Sequence, residues 1–243
     1  MLKLVLGTCT LALMASACTN EDEYRYRTSF SSFFTVLGNL PNYRLIDDFG
    51  NVFYPTSESV NQITENQGFT DKRIQVYGTY DAEKDVTQDE SGLYTVRNVK
   101  LQGGQYIPIV KPMSTEELNK ANLLSVDSMF PIERLENCWF ANGYMNTIFE
   151  AKYSANGNKY IMPSVSLYAV PDKIKENAVT LEIIYNRHSS KNTMNAGTAE
   201  LIYSYDISSL QIPGSDSVNV RVEIIGAPPY TTKVPRRDFE ELK

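Results

Sequence analysis

Val218-Asn219-Val220-Arg221-Val222-Glu223-Ile224 alternates apolar and polar side chains without a break. Successive side chains of a strand point to opposite faces, so this run makes a strand with one buried face. The pattern recurs upstream. Met145, Thr147, Phe149, Ala151 and Tyr153 share one parity, as do Ile161, Val165, Leu167 and Ala169. Val179, Leu181, Ile183 and Tyr185 repeat it, followed by Leu201, Tyr203 and Tyr205. Asn156-Gly157 separates the first two runs and is a strong hairpin signal. Strands of this kind bury their apolar faces by packing sheet on sheet, so residues 131–237 read as an antiparallel β-sandwich.

The first half carries shorter strands. Phe33–Leu37 is one, and Tyr43–Ile46 and Val52–Tyr54 flank the turn Asp47-Asp48-Phe49-Gly50-Asn51. Lys72–Tyr80 follows, with Ile74, Val76 and Gly78 on one face. Leu93–Leu101 changes parity part-way, which calls for a bulge or burial on both faces. Pro108 confines Tyr106–Val110 to an edge. Several short, bent strands in so few residues fit a small OB-type barrel, placed at residues 29–112. Residues 113–130 form a linker. In it Ser114 and Glu117 are spaced as a capping box for a short helix. Residues 238–243 are a tail. The fold class is all-β, a barrel followed by a sandwich.

Composition narrows the function. The 243 residues carry 23 basic and 29 acidic side chains, a net charge of −6. That balance opposes binding to nucleic acid, which needs a basic stripe. The single histidine and three cysteines provide neither a disulfide framework nor a four-ligand zinc site. No metal and no cofactor is expected. The acidic stretch 81–91 lacks the glycine and terminal glutamate spacing of an EF-hand and reads as a solvated loop.

The N-terminus gives an address. Lys3 precedes the apolar run Leu4–Met14, and Ala15-Ser16-Ala17 leads into Cys18. The run is too short to span a membrane, which takes about 20 residues. It has the form of a secretory signal, residues 1–17, cut before Cys18. A cysteine directly after small residues is the acceptor for lipoprotein acylation, so Cys18 is the expected lipidation site and residues 18–28 the tether. Ala15-Ser16-Ala17 also suits ordinary signal cleavage. In that case Cys18 and Cys138 are free to pair.

The mature chain resembles the NigD-like lipoproteins of the Bacteroidetes. The resemblance is carried by Trp139 with Tyr144-Met145-Asn146 and Phe149, by Val179–His188, by the Val218–Ile224 strand and by the Tyr43–Tyr54 hairpin. At 186–188, Asn-Arg-His replaces the order usual in that family. The resemblance implies an OB domain followed by a β-sandwich, an envelope location and an immunity role against a bacteriocin. It transfers no catalytic residue. Glu21-Asp22-Glu23 resemble the acidic signal that sends lipoproteins of this phylum to the outer face of the outer membrane.

Several side chains invite a chemical reading. His188 lies just past a strand beside Ser189 and Ser190, too close in sequence to form a triad by themselves. Asp47-Asp48 and Glu133/Glu136 could be paired carboxylates, although near neighbours in sequence seldom face each other across a substrate. Trp139 could stack on a sugar, or anchor a core with its indole N–H bonded to backbone. Cys138 reads as a small buried hydrophobe. No catalytic or ligand-binding residue is assigned. The chain is expected to be a non-enzymatic envelope lipoprotein that binds an envelope or secreted protein, or a glycan. An accessory of an outer-membrane complex is the alternative, and a hydrolase is the third reading.

Overall fold

The computed structural model describes residues 27–123, 129–157, 159–161, 163–188, 194–215 and 217–242. The signal segment, Cys18, most of the tether, and Ser189 and Ser190 lie outside the described residues. The first unit contains β1 (Arg27–Leu37), β2 (Arg44–Asp47), β3 (Val52–Pro55), helix α1 (Ser57–Ile63), β4 (Arg73–Asp81), β5 (Val86–Gln88) and β6 (Tyr94–Tyr106). Neighbouring strands run β3-β2-β1-β4-β6, and a parallel pairing of β3 with β6 closes the ring. This is the expected OB-type barrel. Phe34, Leu45, Phe53, Ile74, Val76 and Leu101 are among the side chains that fill it. Phe30, Phe34 and Phe53 meet at centroid distances of 5.0–5.9 Å.

Two features let so small a barrel close. In β6 the buried residues change parity between Val96 and Val99, across Asn98 at φ 51°. That is the bulge the sequence demands, and it turns the strand from β3 and β5 towards β4. At Gly104 a Cβ would sit 2.5 Å from the Gln75 carbonyl oxygen, so only glycine admits that approach. Helix α1 was not foreseen. It is a single short piece with few apolar residues, capped where Thr56 accepts from the Ser59 amide. Its Val60 is nonetheless buried in the barrel core.

The second unit contains β7 (Ile109–Val110), β8 (Pro112–Met113), helix α2 (Thr115–Lys120), β9 (Arg134–Ala141), β10 (Tyr144–Asn156), β11 (Lys159–Ile161), β12 (Ser164–Ala169), β13 (Ala178–Asn186), β14 (Met194–Asp206), β15 (Val218–Ile224) and β16 (Tyr230–Val234). Helix α2 starts with the predicted capping box. The Ser114 hydroxyl accepts from the Glu117 amide, and the Glu117 carboxylate takes the Ser114 amide. The first sheet joins β10 to β14 along one side and to β9 and β11 along the other, with β7 beyond β14. The second runs β16-β15-β13-β12-β8. Their inner faces share one core, which includes Met145, Phe149, Leu181, Tyr205, Val220 and Val222.

Three details differ from the simplest reading. Ile161 and Val165 belong to two strands rather than one: β11 completes the Asn156-Gly157 hairpin on β10, while β12 crosses to the other sheet. The second sheet is mixed, because β13 and β15 pair in parallel. Tyr106–Val110 also divides. Tyr106 ends the barrel strand β6, whereas Ile109–Val110 pairs with β14 and Pro112–Met113 with β12. The chain therefore leaves the barrel by adding one edge strand to each sheet of the sandwich.

Candidate functional site

Three of the side chains singled out in the sequence, Asp47, Asp48 and Trp139, converge where the barrel rests on the outer face of the first sandwich sheet. The β2–β3 turn sets the geometry. Asp47 Oδ1 accepts the Phe49 amide at 2.9 Å and the Asn51 amide at 2.8 Å, and its Oδ2 accepts Asn51 Nδ2 at 2.9 Å. Burial nevertheless raises the Asp47 pKa against the pull of these donors. With Asp47 committed to its own turn, Asp48 is free to reach Arg73.

Arg73 opens β4 and is fully buried. Its Nη1 donates to Asp48 Oδ1 at 2.7 Å and to Thr35 Oγ1 at 3.0 Å. Nη2 donates to Asp48 Oδ2 at 3.0 Å and to Asn146 Oδ1 at 2.9 Å, and Nε to Ser204 Oγ at 3.3 Å. All five guanidinium hydrogens are used, two of them in a bidentate grip on the carboxylate. The cation also lies 5.2 Å from the Tyr144 ring centroid.

The sandwich reaches back. Trp139 Nε1 donates to Asp48 Oδ2 at 2.7 Å, and its ring packs against Phe33 with centroids 5.1 Å apart. Asn142 Nδ2 donates to the Asp47 carbonyl at 3.1 Å. Asn142 and Gly143 both take positive φ, 56° and 83°, in the β9–β10 hairpin turn. Trp139, Asn146 and Ser204 stand in register across β9, β10 and β14, so one row of three strands presents them all. Tyr144, on the same face, sits under the guanidinium. Hence Trp139, Tyr144 and Asn146 serve the junction of barrel and sandwich, while Met145 between them faces the sandwich core. Trp139 is half-buried with a carboxylate partner, rather than a core anchor bonded to backbone or an open stacking platform. Arg73, Thr35 and Ser204 had no sequence signal of their own.

The other candidates lie apart. Glu133 pairs with Lys152 at 2.9 Å and Glu136 pairs with Arg134. His188 is exposed at φ 51°, its backbone N–H bonded to Asn186 Oδ1. Cys138 is buried in the sandwich core, and burial pushes its thiol up to about 12. Such a thiol is almost wholly protonated at neutral pH and is a poor nucleophile. Asp48 accepts three charge-assisted hydrogen bonds and is nearly closed off from solvent. Among the described residues, no group of three acidic, histidine or cysteine side chains is placed to hold a metal ion.

The open face of the second sheet has a different character. A shallow groove of about 550 Å³ is lined by Lys173, Lys175, Thr180, Arg221, Thr231 and Thr232. Thr180 and Arg221 are registered partners, as are Arg221 and Thr231. Glu223 takes both Arg221 and Lys173, which lowers the Glu223 carboxyl pKa. Such a lining offers hydroxyls and amine hydrogens to a polar ligand, without a nucleophile beside a base.

No protein-family model and no curated protein matches the sequence. The fold itself recurs in solved structures. A NigD-like immunity protein from Bacteroides caccae superposes with a TM-score of 0.51 at 10% identity, over 88% of this chain and 95% of that one. The chain shares the NigD-like fold. A candidate lipoprotein from Bacteroides fragilis aligns at TM-score 0.53 and 11% identity, over 89% of this chain and 100% of the other. A candidate toxin-related protein from Parabacteroides distasonis aligns at TM-score 0.56 and 18% identity, over 87% and 96%. At these identities the NigD-like fold is what is shared. The comparison covers barrel and sandwich together.

Proposed function

We propose that this chain is a non-enzymatic recognition protein of the bacterial envelope, held to the outer membrane by an acylated Cys18 and acting as an immunity-like factor against a secreted toxin. The observation that carries the reading is the fate of its polar side chains. Most of the residues singled out for chemistry are spent on structure: Asp47 builds a turn, Asp48 and Trp139 join barrel to sandwich, and Cys138 is closed in the core, while His188 stands exposed and apart from them. A junction of this kind holds two β modules at a fixed angle and leaves their outer loops and faces to meet a partner. A lipid anchor keeps such a body at the membrane, since two or more acyl chains give stable attachment. The NigD-like immunity protein and the candidate lipoprotein that share the fold are consistent with this role.

Two measurements test it. Cys18→Ala should move the protein from the membrane fraction to the soluble envelope fraction; retention in the membrane removes the anchor. A strain lacking the protein should become sensitive to culture fluid from competing strains, and the wild-type chain should restore protection. Stable co-purification with one membrane complex, with no change in sensitivity, would favour the accessory role instead.

A further inference from the structure

Phe49 stands at the apex of the β2–β3 turn and is 81% exposed. Isolated exposed apolar residues are ordinary on protein surfaces. The turn that carries Phe49 is held from within by Asp47 and is joined to a second loop. A Cβ on Gly50 would lie 3.5 Å from a Leu93 methyl, and the Tyr94 amide donates to Asn51 Oδ1 at 2.9 Å. Phe49, Leu93 and Tyr94 are thus exposed residues on two loops whose backbones adjoin. Asp47 fixes the turn from within, and the Asp48–Arg73–Trp139 lock fixes it from behind. An aromatic side chain on a preorganised loop loses little entropy on binding, which is the property of an interface anchor.

The surroundings of this knob select a partner. The β5–β6 hairpin turn carries exposed Asp89 and Glu90 directly beside Leu93, and the Asp89 carboxylate caps the Ser91 and Leu93 amides. Those donors, together with the Ser91 hydroxyl, lower the Asp89 pKa and keep it ionised. The β5–β6 turn thus sets two carboxylates, Asp89 and Glu90, at the edge of the knob. An anionic rim opposes an anionic lipid surface, and it opposes a second copy docking through the same patch. We infer that the Phe49–Leu93–Tyr94 knob is the docking surface of this chain, and that it takes a protein partner with an apolar pocket rimmed by lysine or arginine. This rests on the recognition role proposed above and adds to it the surface and the chemistry of the partner.

Photo-cross-linking of the full chain in its native host tests the inference. Phe49 is replaced by p-benzoylphenylalanine, with Tyr94 as a second position on the knob and Thr231, in the groove, as a position on another face. The first two should give an adduct with the same protein. The cross-linked peptide should lie in an apolar site flanked by basic residues, and Glu90→Lys should lower the yield about tenfold through like-charge repulsion. A partner captured only from Thr231 keeps the recognition role and overturns the knob. Adducts from none of the three positions overturn both. An adduct with lipid or with another copy of the chain, or a yield indifferent to Glu90→Lys, overturns the assigned partner chemistry.

Discussion

Each sheet of the sandwich carries a row of three registered polar side chains on its outer face. Trp139, Asn146 and Ser204 cross the first sheet, and Thr231, Arg221 and Thr180 cross the second. The strands beneath them alternate in the same way and feed the same core. The barrel covers only the first row. There Asn146 and Ser204 are buried and Arg73 sits among them with every hydrogen engaged. In the second row Arg221 is nearly half exposed and shares Glu223 with Lys173. The difference shows that a polar outer face is not committed to solvent. Its role depends on whether another unit brings charges that match it.

The sharpest way to break this comparison is to remove one arginine from each side. Arg73→Ala leaves the Asp48 carboxylate buried without its cation, at an expected cost of about 3–5 kcal/mol. Arg221→Ala removes a solvent-exposed pair and should change stability by about 0.5 kcal/mol or less. Urea unfolding of the two variants reads the contrast. Similar losses in both would mean that the junction is not a buried electrostatic lock. Asp48→Ala combined with Arg73→Ala should cost much less than the two changes added together, because neither charge is then left alone.

A smaller effect isolates the sandwich's grip on the barrel. Trp139→Phe keeps a ring against Phe33 but deletes the donor to Asp48. A hydrogen bond to a charged group contributes about 1.5–3 kcal/mol, which sets the expected loss. Trp139 is the single tryptophan, so fluorescence of the parent protein reports the junction directly. Its emission should change in Arg73→Ala and stay put in Arg221→Ala. An unchanged spectrum in both would place the indole outside the lock.

The covered and open faces also mark how far the sequence could be read. Inner faces were legible because burial leaves a period of two: Val179, Leu181, Ile183 and Tyr185 fall on one face, and that face is the core. The bulge in β6 and the cap of α2 were legible for local reasons, a parity change and a Ser–Glu spacing. Helix α1 was not, since its place is set by the barrel end it closes and not by its own weak pattern. The junction was half legible. Asp47-Asp48 and Trp139 stand out as candidates and Asn146 belongs to the run that carries the family resemblance, yet nothing local tells Asp47, which bonds its own turn, from Asp48, which reaches across to the sandwich. Arg73 completes the site through contacts with residues 25 to 131 positions away. Such pairing is a property of the assembled fold, and one sequence does not carry it.

The last contrast lies on the first sheet alone, four residues along β10 from the junction. Glu150 and Glu200 are directly opposed on β10 and β14. Here two like charges meet side by side, and the one cation of the row, Arg134 on β9, pairs with Glu150 at 3.5 Å and lies across it from Glu200. Burial raises the Glu200 pKa, and the charges of Glu136 and Glu150 raise it further. A carboxyl whose folded-state pKa exceeds its unfolded value holds its proton better in the folded state. Its contribution to stability is therefore full at low pH and is lost as pH rises through the folded pKa. At neutral pH the ionised Glu200 is a net cost, and Glu200→Gln should stabilise the protein. Opposed like charges on a strand pair cost up to about 1 kcal/mol, and partial exposure discounts that, so a gain of about 0.5 kcal/mol is expected. The gain should vanish near pH 4, about where an unfolded glutamate titrates and Glu200 is protonated in the folded state. It should also shrink in high salt. Urea midpoints of both proteins at pH 7 and pH 4 decide the matter. A gain that persists at pH 4 would come from packing of the amide, and the sheet would then owe nothing at this row to the charge matching that organises the junction.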